Sequence, residues 1–574
     1  MAKNVAVGIQ SFEEIIQKNC FYIDKTNFIK EWWESGDKVT LIARPRRFGK
    51  TLNMSMLQQF FSVDYADRGD LFEGLSIWED EKYRQIQGTY PVIFLSFANI
   101  KHRNFESTKQ DINFLLTKLY DKYPYIRDSD KLTKNEKKYF DSVSMDMNDS
   151  IASMALHQLS DFLHRYYGEK VIIILDEYDT PMQEAYVNGY WDELVSFTRS
   201  LFNSTFKTNP YLERGLMTGI TRVSKESVFS DLNNLKVVTT SSNEYATSFG
   251  FMQDEVFQAL DEYGLGSEKE KVKAWYDGFT FGCHTDIYNP WSILSFIDTK
   301  GQYLAYWANT SSNSLVSKLL QRGNKKIKAS FEKLLKGEAI QVPIDEQIVY
   351  NQLEDNEMAV WSLLLAGGYL KVLKKEDLVT PGVKPMYTLA ITNGEVHDMF
   401  YGMVQSWFMK TEVHYTEFVQ ALLEGELDEM NELLSKIIRD IFSYFDTNHS
   451  EEPERFYHGL VLGLFIELHT EYILTSNRES GFGRYDVMIE PRDKTCGKYA
   501  YIMEFKVHKP RKEKTLEETL ENALKQIEEK QYEADLIERG MDKDKIHKYG
   551  FAFEGKKVLI GDQDFLKRIL LENS

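Results

Sequence analysis

Short, continuous apolar runs alternate with longer amphipathic stretches in the N-terminal half of this 574-residue chain. The runs are VTLIA at 39–43, YPVIFLSF at 90–97, KVIIILD at 170–176 and RGLMTGI at 214–220. Apolar runs of this length are typical of strands buried on both faces, and the stretches between them are long enough for crossover helices. The first half therefore predicts an α/β domain built on a parallel sheet.

The pattern changes twice further along the chain. Between 291 and 400, NSLVSKLLQRG and EMAVWSLLLAGGYLKVL predict helices and YTLAIT at 387–392 predicts a strand, which indicates a helical or winged-helix-like unit. After 400, the helical stretches TEFVQALLEGELDEMNELLSKIIRDIFSYF and ERFYHGLVLGLFIELHTEYIL precede strand-like RYDVMIEP and YAYIMEFKV and a charged helix from Leu516 to Gly540. We expect domains at 1–290, 291–400 and 401–574, the last being a second α/β unit.

Composition and charge exclude several classes of protein. Lys and Arg number 69 and Asp and Glu number 88, so the net charge is −19 and any contact with nucleic acid needs a local basic patch. The three cysteines, Cys20, Cys283 and Cys496, are too widely spaced for a zinc motif or a disulfide framework. No apolar stretch reaches the roughly 18 residues of a membrane span. These features predict a soluble cytoplasmic protein with no membrane partner.

The first apolar run leads directly into RPRRFGKTLNMSM, a loop that ends in Gly-Lys-Thr and opens an amphipathic helix. In such a loop Gly49 lets the backbone approach a phosphate, Lys50 adds a point charge and Thr51 places a hydroxyl on Mg²⁺. Arg44 occupies the position of the first glycine in the usual pattern, so the match is degenerate, and GKT also occurs by chance at strand-to-helix turns. The loop predicts a nucleoside triphosphate site.

The run VIIILDEYD supplies the carboxylates that such a site needs. Asp176 follows the buried strand directly and can hold Mg²⁺, while the next residue, Glu177, can orient or deprotonate an attacking water. The alternative for Glu177 alone is a solvated acid at a strand end. Together with the loop, this run predicts hydrolysis of the nucleotide.

Four further residues are weaker candidates for the nucleotide site. Thr218 and Arg222 belong to the run RGLMTGITR and could contact the γ-phosphate and stabilise transition-state charge, although packing and a surface ion pair are the ordinary roles of these residue types. Arg46 and Arg47 lie inside the loop, where their charge favours phosphate, with a partner carboxylate as the alternative.

A second constellation follows RESGFGRYDVMIEP and KYAYIMEFKV. In a strand, Glu504 and Lys506 face the same side, and a hairpin would bring Asp486 beside Glu504, giving two carboxylates for a divalent cation and an ammonium to steer water. Gln526 lies on the following helix and could approach the same site. This set is typical of metal-assisted phosphodiester hydrolysis, and the basic run 506–514 is the local patch that an acidic chain requires. Alternating charge on an exposed strand and a solvated basic loop remain the alternatives.

Spacing does not choose the acid that completes this metal site: Glu467, Glu471 and Glu479 are all candidates. His458 and His469 lie eleven residues apart without an HxxxH partner, so we expect no zinc site.

The motifs FYIDKTNFI, RPRRFGKTL, ILDEYDTP, TGITRVS, VFSDLNNL, WYDGFTFG and YNPWS, in this order, resemble the AAA-ATPase-like domain family found mostly in bacteria. ESGFGRYD, IMEFKV and ALKQIEEKQY resemble its C-terminal companion, a PD-(D/E)XK nuclease superfamily domain. The resemblance implies a P-loop NTPase in which arginine replaces the first glycine, and a restriction-endonuclease-like α/β domain. It also implies that Asp486, Glu504 and Lys506 are the D, E and K positions, with Gln526 as an accessory.

The sequence thus favours an ATP- and Mg²⁺-dependent NTPase coupled to a metal-dependent nuclease that acts on nucleic acid, with DNA favoured over RNA. The alternative is a nucleotide-controlled binding switch whose nuclease-like fold binds without cutting. Assembly of several copies of the chain stays open.

Overall fold

The structure is a computed structural model, and the chain forms two compact units, Met1–Phe400 and Tyr401–Ser574. The predicted domain boundary near 290 falls inside the first unit and stays a prediction. No helix among the described residues has the length and apolar character needed to cross a membrane. The described residues are 3–221, 229, 232–308, 313–345, 353, 356–376, 384–409, 415–444, 468, 471–476, 479–480, 483–484, 486–494, 497–510, 512–555 and 557–572.

The first unit contains the predicted parallel sheet. Its five strands pair in the order β2-β3-β4-β1-β5, and every pairing is parallel. β1 and β3 are buried at every residue, which is typical of strands covered on both faces. The strands are β1 (Val39–Ala43), β2 (Val92–Ser96), β3 (Val171–Asp176), β4 (Leu212–Gly219) and β5 (Leu235–Val238).

Helices precede the first strand and connect strands further along the chain, as the amphipathic stretches predicted. They are α1 (Phe12–Gln17), α2 (Asn27–Glu34), α3 (Lys50–Phe61), α4 (Glu81–Ile86), α5 (Phe105–Tyr120), α6 (Pro124–Asp128), α7 (Lys134–Ser142), α8 (Asp149–Tyr167), α9 (Thr180–Asn188) and α10 (Trp191–Phe202).

Two small antiparallel sheets and more helices complete the first unit. The strands pair as β6-β8-β7 and β10-β11-β9, and they are β6 (Phe251–Met252), β7 (Phe279–Phe281), β8 (His284–Tyr288), β9 (Ile340–Pro343), β10 (Leu370–Glu376) and β11 (Met386–Ile391). The helices are α11 (Gln253–Glu262), α12 (Lys269–Tyr276), α13 (Pro290–Asp298), α14 (Ser314–Arg322), α15 (Lys325–Leu335), α16 (Glu357–Ala366) and α17 (Gly394–Met409).

The segment EMAVWSLLLAGGYLKVL differs from its prediction as one helix. α16 ends at Ala366, two glycines turn the chain, and β10 begins at Leu370. The helix cannot continue because Gly368 has a φ of +83°, in the left-handed region.

The second unit is a mixed α/β fold around a sheet of order β12-β15-β16-β17-β18, in which only β16 and β17 pair in parallel. A two-residue hairpin pair, β13 with β14, precedes β15. The strands are β12 (Tyr472–Ser476), β13 (Glu479–Ser480), β14 (Gly483–Arg484), β15 (Val487–Pro491), β16 (Ala500–Val507), β17 (Ile546–Glu554) and β18 (Lys557–Gly561).

Helices cover both faces of this sheet, since separate apolar clusters lie against each face. The first predicted long helix is two helices, and the charged helix predicted to reach Gly540 ends at Lys530. Most of the second predicted long helix lies outside the described residues. The helices are α18 (Tyr415–Glu424), α19 (Leu427–Tyr444), α20 (Leu516–Lys530), α21 (Ala534–Glu538) and α22 (Gln563–Glu572).

Candidate functional site

The carboxyl ends of the parallel strands meet at one edge of the first sheet, where ligands of open α/β sheets bind. β1 ends at Ala43 and leads through residues 44–49, here called the phosphate loop, into α3. Gly49 precedes α3 with a φ of +77°, so the loop can turn sharply into the helix. The first amides of α3 have no partner within the helix and are therefore available to an anion.

Lys50 closes the loop on itself. Its ammonium donates hydrogen bonds to the carbonyl oxygens of Arg44 at 3.0 Å and Pro45 at 2.8 Å, and the side chain is buried. Burial lowers the pKa of Lys50, and the nearby carboxylates of Glu177 and Asp176 oppose that shift. The loop thus already contains a desolvated cation, which a phosphate would attract away from the two carbonyls.

Asp176, Thr51 and Thr218 form a compact hydrogen-bonded cluster at the strand edge. The Thr51 hydroxyl donates to Asp176 Oδ2 at 2.8 Å, and the Thr218 hydroxyl donates to Asp176 Oδ1 at 2.5 Å. Asp176 is fully buried, and burial raises its pKa. The start of α3 and the ends of β3 and β4 therefore meet at the Asp176 carboxylate. These three elements come from three separate sequence motifs.

Glu177 has a φ of +51° immediately after β3, an uncommon conformation for a residue with a side chain. Its backbone N–H donates to the Thr218 hydroxyl at 3.3 Å, and its carboxylate accepts from the Thr180 hydroxyl at 3.1 Å. Backbone strain of this kind occurs often at functional sites. The loop after β3 therefore presents a half-buried carboxylate close to Asp176.

Asp179 was missed by the sequence analysis. It is buried, and its Oδ2 accepts from the backbone N–H of Ile220 at 2.9 Å and from the N–H and hydroxyl of Thr221, both at 3.0 Å. Burial raises the pKa of Asp179. This carboxylate ties the loop after β3 to the end of β4. The second aspartate of the DEYD motif is the only signal for it in the sequence.

The three arginines of the phosphate loop point to different partners. Arg44 is fully buried and donates to three backbone carbonyls, those of Ala43, Thr239 and Glu244. Its guanidinium also lies 4.4 Å from the ring centroid of Phe281. The Arg44 side chain thus braces the loop from the interior of the unit.

The other two arginines lie nearer the surface. Arg46 donates to the side chain of Gln183 at 3.1 Å, and Arg47 lies over the ring of Trp291, 4.2 Å from its centroid. Arg222 lies outside the described residues.

The DKT motif holds other segments of the first unit together. Asp24 accepts from the N–H and hydroxyl of Thr26 at 2.8 and 2.6 Å and from the N–H of Ser76 at 2.7 Å. Lys25 forms an ion pair with Glu255 at 2.7 Å. These contacts indicate a structural role for the motif, which joins the start of α2 to the segments that contain Ser76 and Glu255.

In the second unit, Asp486 and Glu504 meet at the edge between β15 and β16. The antiparallel register pairs Val487 with Met503, which places Asp486 opposite Glu504. The Asp486 carboxylate accepts from the N–H of Phe505 at 2.8 Å. Glu504 is buried, with 2% of its surface exposed. The hairpin that the sequence predicted therefore brings the two carboxylates together.

Gln526 links this pair to the helix on the same face of the sheet. Its amide nitrogen donates to Glu504 Oε1 and its amide oxygen accepts from the Lys506 ammonium at 2.7 Å. Lys506 also lies 3.6 Å from Glu504 Oε1. Tyr532, which the sequence analysis missed, accepts from the same Gln526 nitrogen at 3.0 Å. The four side chains form one connected network.

Among the described residues, no third acid joins Asp486 and Glu504 to complete a metal site. No group of three or more His, Cys, Asp or Glu side chains suited to a metal occurs in the described part of the chain. Glu471 lies beyond the other end of β15 from Asp486 and pairs with Lys498 at 2.5 Å, so it is not the missing ligand. The described residues do not include Glu467, His458 or His469, nor the side chain of Glu479.

Two family models match the chain at these two sites. The model described as predicted AAA-ATPase matches residues 6–229, and the PD-(D/E)XK nuclease superfamily model matches residues 452–563. The chain combines an AAA-ATPase-like domain with a PD-(D/E)XK nuclease superfamily domain. The phosphate loop and the DEYD motif belong to the AAA-ATPase-like domain, and Asp486, Glu504, Lys506 and Gln526 belong to the nuclease superfamily domain.

A relative of unknown function resembles much of the chain. It is an uncharacterized protein in the vnfD 5′ region of Azotobacter chroococcum mcd 1, and it is 25% identical over 396 residues. The similarity covers 69% of this chain and 68% of that protein.

Proposed function

We propose that the AAA-ATPase-like domain binds and hydrolyses ATP at the phosphate loop. The observation that carries this proposal is the hydrogen-bonded cluster of Thr51, Asp176 and Thr218 beside the desolvated Lys50. A hydroxyl from the start of α3 and a carboxylate from the end of β3 are the oxygen ligands that Mg²⁺ prefers next to a nucleotide. Bound Mg²⁺ would supply positive charge to the phosphates.

In this proposal the protein side chains have distinct roles. Lys50 leaves its two carbonyls to neutralise the phosphates, and Glu177 accepts a hydrogen bond from the attacking water and orients it. Arg46, Arg47 and Arg222 supply further positive charge, and Thr218 holds Asp176 in place. Gly49 lets the backbone approach the phosphates. Arg44 acts indirectly, because its guanidinium fixes the shape of the loop.

ATP turnover by the full chain tests the assignment. Lys50→Ala should abolish turnover and ATP binding, whereas Glu177→Gln should retain binding and slow hydrolysis by about 10²- to 10⁴-fold, the usual contribution of a positioned acid or base. Lys101→Ala, at an exposed lysine, is the control and should behave like the wild type. Undiminished turnover in Lys50→Ala would show that the phosphate loop is not the site.

For the second unit we propose a Mg²⁺-dependent nuclease that cuts nucleic acid, with DNA favoured over RNA. The meeting of Asp486 and Glu504 at one strand edge, with Lys506 beside them, supports it. Both carboxylates suit a hard divalent cation, and the Lys506 ammonium can steer water or stabilise the developing negative charge. Gln526 keeps Lys506 and Glu504 in position.

Cleavage assays on single- and double-stranded DNA and RNA, with Mg²⁺ and with or without ATP, test this proposal. Glu504→Ala should abolish cleavage, and Glu521→Ala, an exposed residue of α20, should not. Intact substrates with the wild type under every condition would reject it.

A non-cleaving binding switch is the second candidate. It is favoured by the closed contacts of Glu504 with Gln526 and Lys506 and by the lack of a third ligand among the described residues. Calorimetric titration with Mg²⁺ and Mn²⁺ separates the two functions. A site lost in Glu504→Ala supports the nuclease, and no site in the wild type supports the switch. We place either activity in the cytoplasm and leave the number of copies in the assembly to sedimentation measurements.

A further inference from the structure

Trp291 lies beside the phosphate loop, and the proposed function gives it no role. It is the second residue of α13, and the Asn289 side chain both caps this helix, accepting from the Trp291 N–H at 2.9 Å, and donates to the Arg46 carbonyl at 3.2 Å. Asn289 is fully buried. One buried amide thus fixes the start of α13, and with it the Trp291 ring, against the phosphate loop.

One face of the Trp291 ring already holds a planar group. The Arg47 guanidinium carbon lies 4.2 Å from the ring centroid, within the range of a cation–π contact. Trp291 is half-buried, Arg47 is exposed, and a Cβ placed on the exposed Gly8 would lie 3.8 Å from the far edge of the ring. A side chain larger than glycine at position 8 would begin to cover that edge.

The half-buried Arg46 and the exposed Arg47 therefore point to different sides of the loop. Arg46 contacts Gln183, which in turn contacts Asp179, on the side of the loop that carries the hydrolytic carboxylates. Arg47 lies over the Trp291 ring instead. In the proposed function the γ-phosphate lies near Glu177 and Asp176, so the nucleoside points away from these carboxylates. The Trp291 ring lies on the other side of the loop, where Arg47 contacts it.

We propose that Trp291 is the stacking platform for the purine base of the bound nucleotide, and that the base displaces the Arg47 guanidinium from the ring. This inference deepens the proposed function and rests on it. A purine stacks on an indole face as a guanidinium does, and the freed Arg47 gains a stronger partner in the phosphates than in the ring. After this exchange the Trp291 ring stacks on the purine, and the Arg47 guanidinium pairs with the phosphates.

Binding of ADP and of inorganic pyrophosphate to the full chain, with Mg²⁺, separates base contacts from phosphate contacts. Trp291→Ala should weaken ADP binding by about 5- to 150-fold, the range found for the loss of one base–aromatic stack, and leave the affinity for pyrophosphate within about twofold. Trp291→Phe keeps an aromatic face and should bind ADP within about threefold of the wild type. Equal losses for the two ligands, or unchanged ADP binding in Trp291→Ala, would overturn the proposal.

Tryptophan emission gives a second measurement that does not depend on the alanine variant folding. Saturating ADP should quench emission in the wild type by an amount that is missing in Trp291→Phe, and pyrophosphate should not produce this difference. Equal ADP quenching in the two proteins would contradict stacking. Lys50→Ala distinguishes failure of the nucleotide site from failure of base stacking. If Lys50→Ala binds both ligands normally, the phosphate loop is not the nucleotide site. If Lys50→Ala loses both ligands and Trp291→Ala loses neither, only the stacking on Trp291 is wrong.

Discussion

Glu395 is a buried carboxylate whose contacts are with neutral groups. It accepts from the Ser292 hydroxyl at 2.8 Å and from the backbone N–H groups of Trp307 at 2.5 Å and Ala308 at 3.3 Å. Burial raises its pKa to about 7, although these donors act in the opposite direction. The folded protein therefore holds a proton on Glu395 at a pH where the unfolded chain would release it.

We expect Glu395 to make the first unit less stable as pH rises. The unfolded carboxyl ionises near 4.5 and the folded one near 7, so the stability that the protonated form provides is complete below pH 4.5 and is lost up to pH 7. The loss is on the order of 3 kcal/mol at most. Glu395→Gln can keep all three contacts, since its oxygen accepts from the backbone and its amide donates to Ser292.

Thermal unfolding at pH 5 and pH 8 measures this effect. The wild type should lose more stability than Glu395→Gln between the two values, while Glu262→Gln, at an exposed glutamate, should follow the wild type. Parallel pH curves for the wild type and Glu395→Gln would contradict the shifted pKa.

At the scale of secondary-structure elements, apolar runs predicted the strands well. All four runs of the first half are strands of one parallel sheet, because a strand covered by helices on both faces needs apolar residues at every position. Continuous helical patterns predicted elements less well. Residues 357–373 are mostly apolar, and such a run does not show by itself where a helix changes into a strand.

The positions of two site residues in buried strands could also be predicted from the sequence. Asp176 and Glu504 could be placed because each belongs to a buried strand with a fixed direction. Two other sets of contacts could not be predicted: the hydrogen bonds of Arg44 to the carbonyls of Thr239 and Glu244, and the contact of Tyr532 with Gln526. These partners are brought together only by the packing of separate elements.

The turn between α16 and β10 packs closely against Pro45 of the phosphate loop. A Cβ on Gly368 would lie 2.8 Å from Pro45 and 2.9 Å from the Phe279 ring, and its φ of +83° already disfavours a side chain. Gly368→Ala should therefore both destabilise the first unit and weaken ATP binding, because Pro45 must move and its carbonyl holds Lys50.

Gly168→Ala is the matched control for this prediction. Gly168 ends α8 with a φ of +82° and has nothing within 4 Å of its added Cβ, so alanine there brings backbone strain alone, about 1 kcal/mol. Denaturant unfolding and ATP titration should show the larger loss of stability, and the only loss of affinity, in Gly368→Ala. Equal effects of the two substitutions would show that the turn does not act on the loop.

At the scale of the whole molecule, the proposed ATP site and the proposed nuclease site belong to two different units. Any coupling between them must obey linkage: if ATP changes the affinity for nucleic acid by some factor, nucleic acid must change the affinity for ATP by the same factor. The chain's net charge of −19 repels nucleic acid, so this coupling should be measured at one fixed salt concentration.

The double variant Glu177→Gln with Glu504→Ala allows the measurement, because it should bind both ligands, hydrolyse ATP only slowly and leave DNA uncut. For a nucleotide-gated nuclease we expect the dissociation constant of DNA to fall with saturating ATP by a factor of about 5 to 150, the range of typical allosteric couplings, and that of ATP to fall equally with saturating DNA. Adding Lys50→Ala should abolish the effect of ATP on DNA binding, since the effector no longer binds. A factor of one in both directions would show that the two units act independently, even if each proves to be an active enzyme.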